Sequence, residues 1–381
     1  QLRSSDAIPS ALMRAAGRAY ELNMKGLDAL EANDPASSEV YFQEALEELP
    51  GYSDAVNNLG VAHFRQGRVG QAEEYWRSIV KRDPEFFLSY YNLAVVAFHE
   101  KRYSEAEELL EDALKRNTKR AEAYVLQGRI ALAREDMKAA LRRFRKAHEV
   151  DGRNDAAWGF LAYLLIEQGD TGEAVAVLKK HRDSPSALEM MGILAAAGGK
   201  VKEAGDLLHK ALKRGADPSV LIKLASAQTS AGDCRAALRT IGDYFSRVSG
   251  GSADGFLVGG VAAQECGDTD KAVELFERGL ERFPDDRLIG HNLGKVLFRA
   301  KRYERAEQVW KSSAGNVRDP ELDYLRALNA YRQGKTTRAR QRVERALTLD
   351  PKPRYYDLLG VILHAQGKTA EAVEYFRRAL A

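Results

Sequence analysis

Apolar and polar positions alternate along this chain in a long regular rhythm. The clearest copy of the unit runs for thirty-four residues from Ser53 to Phe86, SDAVNNLGVAHFRQGRVGQAEEYWRSIVKRDPEF. Val56, Leu59, Gly60 and His63 fall on one face of a first helix, which Gln66-Gly67 breaks. Ala72, Trp76 and Ile79 mark a second helix, closed by Asp83-Pro84. The same frame returns from Ala253, with Phe256, Gly260, Ala263, Gly267, Ala272, Phe276 and Pro284 at matching offsets.

Each offset has a physical task. Gly60 lies where two helices cross closely, and Ala72 permits the same approach from the other side. Trp76 fills the space between them, and Pro84 stops the second helix because it has no N–H to give. One such pair cannot bury its apolar face, so the fold needs an array. The period and these positions resemble the tetratricopeptide repeat family, over about eleven copies and nearly the whole chain. The resemblance implies an all-α fold, a right-handed superhelical solenoid of antiparallel helix pairs.

In this frame residues 1–18 extend the first helix as a cap, and one long helix is expected from Ser10 to about Ala32. Residues 19–184 hold repeats one to five, 185–252 the irregular repeats six and seven, and 253–381 repeats eight to eleven. Repeat five is shortened near His181 to Pro185, and repeat six is built from small residues around Gly192 and Ala195 to Gly199. Ser246 to Ser252 reads as a flexible Ser/Gly connection, so the array is expected to flex there and between His181 and Gly199. No solvating helix follows the last repeat, which implies either a shortened chain or self-association through that uncapped end.

Composition narrows the function by exclusion. A net charge of +3 and a pI near 8.6 are too mild to argue for nucleic acid or an anionic membrane. No apolar run approaches the roughly 20 residues of a membrane-spanning helix. The seven histidines are scattered, with no metal-ligand spacing, and His63 is expected to be a core residue. No GxSxG elbow, Cys-His frame or phosphate loop is present, so neither catalytic residues, a metal nor a cofactor is expected. The basic clusters Arg142, Arg143, Arg145, Lys146 and Arg338, Arg340, Arg342, Arg345 read as solvated outer faces of second helices. Cys234 and Cys266 lie about one repeat apart, near enough to meet on neighbouring units. They lack the density of a disulfide scaffold and read as two unrelated small side chains. The compartment stays open: cytoplasmic, or periplasmic if an export signal preceded Gln1.

The informative positions lie on the first helices. Positions 4, 7, 8 and 11 of each repeat are used in packing, which leaves 2, 5, 9 and 12 as a separate face. In the family that face lines a concave groove. Repeats two to five place Asn57, Val61, Tyr91, Val95, Phe98, Val125, Arg129, Leu132, Tyr163 and Ile166 there, with Phe160 at the neighbouring position 6. An apolar and aromatic face not needed for packing marks a binding surface, unless the superhelix buries part of it against the next repeat. Position 6 also holds Asn58, Asn92 and Asn292, whose amides suit a peptide backbone and are similar to the asparagine ladder of O-linked N-acetylglucosamine transferase. The carboxylate clamp by which some relatives hold chaperone tails is missing, since Asn57, Leu88 and Leu126 do not supply it.

The resulting expectation is a non-catalytic scaffold for protein–protein interaction. Its partner is a protein or peptide, held by Asn57, Asn58, Val61, Tyr91, Asn92, Val95, Phe98, Arg129 and Tyr163. Two alternatives stand beside it: the regulatory arm of an enzyme whose catalytic domain lies outside this chain, and a bacterial envelope assembly factor.

Overall fold

The structure, a computed structural model, describes residues 10–313 and 318–380. Among them are twenty-two α-helices and no strand. Residues 1–9 of the expected N-terminal extension lie outside the described residues. The chain divides into two compact units, the first ending at Val177 and the second beginning at Leu178.

In the first unit the helices pair as α1 (Ser10–Glu31) with α2 (Pro35–Glu48), α3 (Ser53–Arg65) with α4 (Val69–Arg82), and α5 (Phe87–His99) with α6 (Tyr103–Arg116). Next come α7 (Ala121–Ala133) with α8 (Met137–Val150), then α9 (Asp155–Glu167) and α10 (Thr171–Lys180), within which the unit boundary falls. The long first helix matches its expected span to within a residue. Within this unit α3, α5, α7 and α9 also pack on the second helix of the preceding pair, so each pair buries an apolar face against the next. The fit is set by position 8. A Cβ on Gly60 would lie 2.6 Å from Nε1 of Trp76, and one on Gly128 would lie 2.7 Å from the Phe144 ring.

The second unit continues with α11 (Pro185–Ala197) and α12 (Val201–Lys213), α13 (Val220–Ser230) and α14 (Cys234–Arg247), α15 (Ala253–Glu265) and α16 (Thr269–Arg282). It closes with α17 (Arg287–Arg299) and α18 (Tyr303–Ser313), α19 (Pro320–Arg332) and α20 (Thr336–Leu349), α21 (Pro353–Ala365) and α22 (Thr369–Leu380). The turns inside pairs share one device. The residue just before each second helix's approach takes a left-handed conformation, φ +77° at Gly67 and +76° at Gly267. Lys101, Glu135 and Lys301 adopt the same conformation at the equivalent place without glycine.

Two expectations are corrected in this unit. Cys234 and Cys266 are joined in a disulfide, with Cα atoms 5.5 Å apart, and are not two unrelated side chains. They belong to the turn regions of adjacent pairs, Cys234 opening α14 and Cys266 capping α15, and stacking superposes those turns. The stretch from Ser246 to Ser252 is not an open linker. Helix α14 runs on to Arg247, Gly250 and Gly251 turn the chain with positive φ, and the Tyr244 hydroxyl donates to Ser252 Oγ at 2.9 Å. Phe245 lies 4.8 Å from Phe256 across that turn, so the glycines serve close packing.

Candidate functional site

The face singled out in repeats two to five is assembled by α3, α5, α7 and α9. Its polar part is a chain of side-chain amides. Asn92 Nδ2 donates to Asn57 Oδ1 at 2.9 Å, Asn57 Nδ2 to Asn58 Oδ1 at 3.2 Å, and Asn58 Nδ2 to Asn23 Oδ1 at 3.0 Å. Asn57 is 3% exposed and Asn23 4%, whereas Asn58 and Asn92 are half-buried. The seam therefore ties three first helices together, and Asn23, which the repeat frame did not single out, closes it at α1. Asn292 takes no part, because its amide donates to Leu288 O in its own helix at 2.8 Å.

The apolar part is half-open. Val61, Val95, Tyr91 and Phe98 are half-buried and pack against the clusters beneath them. Tyr91 stacks on Phe87 with centroids 6.0 Å apart, and burial, with Glu122 nearby, raises its phenol above the ordinary value. The Arg129 guanidinium lies 4.6 Å from the centroid of the Phe98 ring, a cation–π contact that fixes both. Tyr163 is 51% exposed. Beside it Gly159 leaves open space, with nothing near a hypothetical Cβ.

Two neighbours belong to packing. Val125 is buried, and Phe160 stacks on Phe144 with centroids 4.8 Å apart. Position 5 thus turns toward the next first helix, while positions 9 and 12 stay partly open.

Elsewhere, His63 is a core residue. It is 3% exposed, with Nδ1 3.2 Å from Gln71 Oε1 and Nε2 3.6 Å from Glu39 Oε1. Among the described residues no group of His, Cys, Asp or Glu is placed to hold a metal, and no helix is long and apolar enough to cross a membrane.

The later basic cluster departs from a solvated face. Arg342 lies between Glu307 Oε1 at 3.2 Å and Asp323 Oδ1 at 3.3 Å, with its side chain 13% exposed. Arg326 holds Glu307 at 2.6 Å, and Arg345 holds Asp323 at 3.3 Å. Asp323 and Arg326 occupy positions 4 and 7, where the reference repeat has Val56 and Leu59. An ion network replaces the apolar contact in this one pair, and burial beside Arg326 lowers the Arg342 value. The earlier cluster pairs outward, with Arg145 gripping both oxygens of Glu173 at 3.1 and 2.6 Å.

Repeated helix pairs joined by short turns define a helical-repeat protein. Two models of the tetratricopeptide repeat family match, one at residues 23–78, 64–122 and 324–381, the other at 131–185 and 264–328. The chain belongs to the tetratricopeptide repeat family. No curated protein matches the chain.

Among solved structures it is similar to MamA 41-end from Desulfovibrio magneticus RS-1, at 21% identity over 44% of this chain and 94% of that one, TM-score 0.41. The Cut9-Hcn1 hetero-tetramer of APC/C aligns at 13% identity over 97% and 80%, TM-score 0.44. A tetratricopeptide repeat protein from Parabacteroides merdae aligns at 16% identity over 74% and 99%, TM-score 0.37. Each is a likeness of fold alone.

Proposed function

We propose that the chain is a non-catalytic scaffold that holds a polypeptide segment on the first helices of repeats two to five and so assembles a larger complex. The observation that carries this reading is the half-open row Val61, Val95, Phe98 under Arg129, ending in the exposed ring of Tyr163. An exposed aromatic side chain beside open space can serve as a binding anchor, and such anchors typically contribute about 2 kcal/mol or more. Asn58 and Asn92 retain unused amide capacity and stay partly exposed, enough to meet a partner's backbone at the edge of the seam. Asn57 supports them from below. Tyr91 and Phe98 contribute one ring edge each while the rest of the ring packs inward.

The test is a photo-cross-linking amino acid introduced at Tyr163, with the same group at outward-facing Lys115 as control. The partner captured through position 163 and absent from position 115 should lose about tenfold or more in affinity for Tyr163→Ala. Equal capture from both positions, or undiminished affinity of the variant, removes this face from the function.

A further inference from the structure

Where successive helix pairs meet, the residue that caps a first helix can reach back to the start of the preceding second helix. Gln66, the cap of α3, donates from Nε2 to Pro35 O at 3.1 Å and to Glu39 Oε2 at 3.0 Å on α2. Arg134, the cap of α7, donates to Ser104 Oγ at 3.2 Å and to Glu107 Oε2 at 2.6 Å on α6. Cys266 is the cap of α15, and its bond to Cys234, the first residue of α14, is the covalent form of that contact.

No ion pair stands behind this bond. Lys223 of α13 pairs with Glu189, Arg247 with Asp243 inside α14, and Lys271 and Arg278 with Glu274 inside α16. None among the described residues crosses from α13 or α14 to α15 or α16. At the next junction, by contrast, Arg302 holds Asp270 at 3.0 Å and Arg305 holds Glu277.

The other end of the same junction is held by rings. Phe245 packs on Phe256, and the Arg278 guanidinium lies 5.7 Å from the Phe245 centroid. Cys234 opens α14 and Cys266 follows α15, so the sulfur contact and the aromatic contact lie at opposite ends of these two helices. Both cysteines are partly exposed, and they are the only two in the chain. Disulfides open to solvent exchange with free thiols more readily than buried ones.

We propose that the bond between Cys234 and Cys266 is a redox clamp: oxidised, it holds the junction of α13 and α14 with α15 and α16 shut, and a dithiol reductant opens it without unfolding either pair. A thiolate of the reductant attacks one sulfur, forms a mixed disulfide and expels the other cysteine as a thiolate. The second thiol of the reductant then breaks the mixed bond. Two electrons and the two thiol protons of the reductant end on the cysteines, and the reductant leaves as its disulfide. With the sulfur end free and the aromatic end still packed, the two pairs hinge about Phe245 and Phe256. An oxidising compartment keeps the clamp closed, whereas a cytosolic thiol pool opens it.

The experiment treats the full chain, bridge intact, with dithiothreitol in native buffer, and follows it by iodoacetamide labelling, intact mass and segment-resolved hydrogen exchange. Both cysteines should be alkylated without denaturant, and the helical circular-dichroism signal should persist. Exchange should rise about tenfold or more at the start of α14 and the end of α15, and less than about twofold across 245–256 and in α3 to α6. Diamide, added once the reductant is removed, should restore the original pattern. Cys234→Ala with Cys266→Ala should exchange like the reduced chain and respond to neither reagent. A bond that dithiothreitol opens only in denaturant overturns the proposal, as does reduction that leaves exchange unchanged or raises it equally at both ends of the junction. Loss of the helical signal on reduction overturns it in favour of a purely structural staple.

Discussion

The side chain of Asn57 shows how much one residue does here. It accepts from Asn92 on α5 and donates to Asn58, while the backbone carbonyl of the same residue accepts from Trp76 Nε1 at 3.1 Å. A buried amide is tolerated only because its partners are present, and removing it strands Asn92 Nδ2 and Asn58 Oδ1. Asn57→Ala should therefore lower stability by about 1–2 kcal/mol in urea unfolding. A loss below about 0.5 kcal/mol would mean that water replaces the seam without cost. The pairing of Gly60 with Trp76 was legible in the sequence because both belong to one helix pair with a fixed offset. The seam was not, because it depends on how far one first helix slides against the next. Position 5 was accordingly assigned to an open face, and Asn23 was passed over. The same limit explains Phe160, whose use against Phe144 depends on which way α9 is turned over α8.

At the scale of elements, α15 is a weak helix in a tight place. Gly255, Gly259 and Gly260 lie within it, and each costs roughly 1 kcal/mol against Ala in a helix. They are there for fit: a Cβ would approach Tyr244 to 2.5 Å, Ile241 to 2.9 Å and Phe276 to 2.3 Å, respectively. The disulfide offsets that weakness by tying Cys266 at the end of α15 to Cys234 at the start of α14, across 32 residues of sequence. Closing a loop of that length in the unfolded chain removes entropy worth about 3.7 kcal/mol. Cys234→Ser with Cys266→Ser should lower stability by about that amount and speed hydrogen exchange in α15 more than in α17. Unchanged exchange in α15 would leave the bridge without a structural role. The spacing of the cysteines did not reveal the pairing, because they occupy different positions in their repeats and meet only through stacked turns. The ion network around Arg342 was hidden for a related reason. Its charges sit on three helices, and in sequence they look like surface.

For the whole molecule, energetics should be local. Within each unit the helix pairs touch their neighbours and little else, so stability in such an array is close to a sum over repeats and their junctions. The period alone made this legible, even where residues 186–263 escape the family models. Gly60→Leu forces a branched side chain toward Trp76 in the first unit, and overpacking of this kind typically costs about 1–3 kcal/mol or more. Removing the disulfide acts entirely within the second unit. Segment-resolved hydrogen exchange of the two variants should accordingly give complementary maps. Gly60→Leu is expected to accelerate exchange in α3 to α6 and spare α17 to α22, and the cysteine variant should accelerate it around α14 to α16 and spare α3 to α6. If instead either substitution raises exchange by the same factor along the whole chain, the protein unfolds as one cooperative body, and the nearest-neighbour account of its stability is wrong.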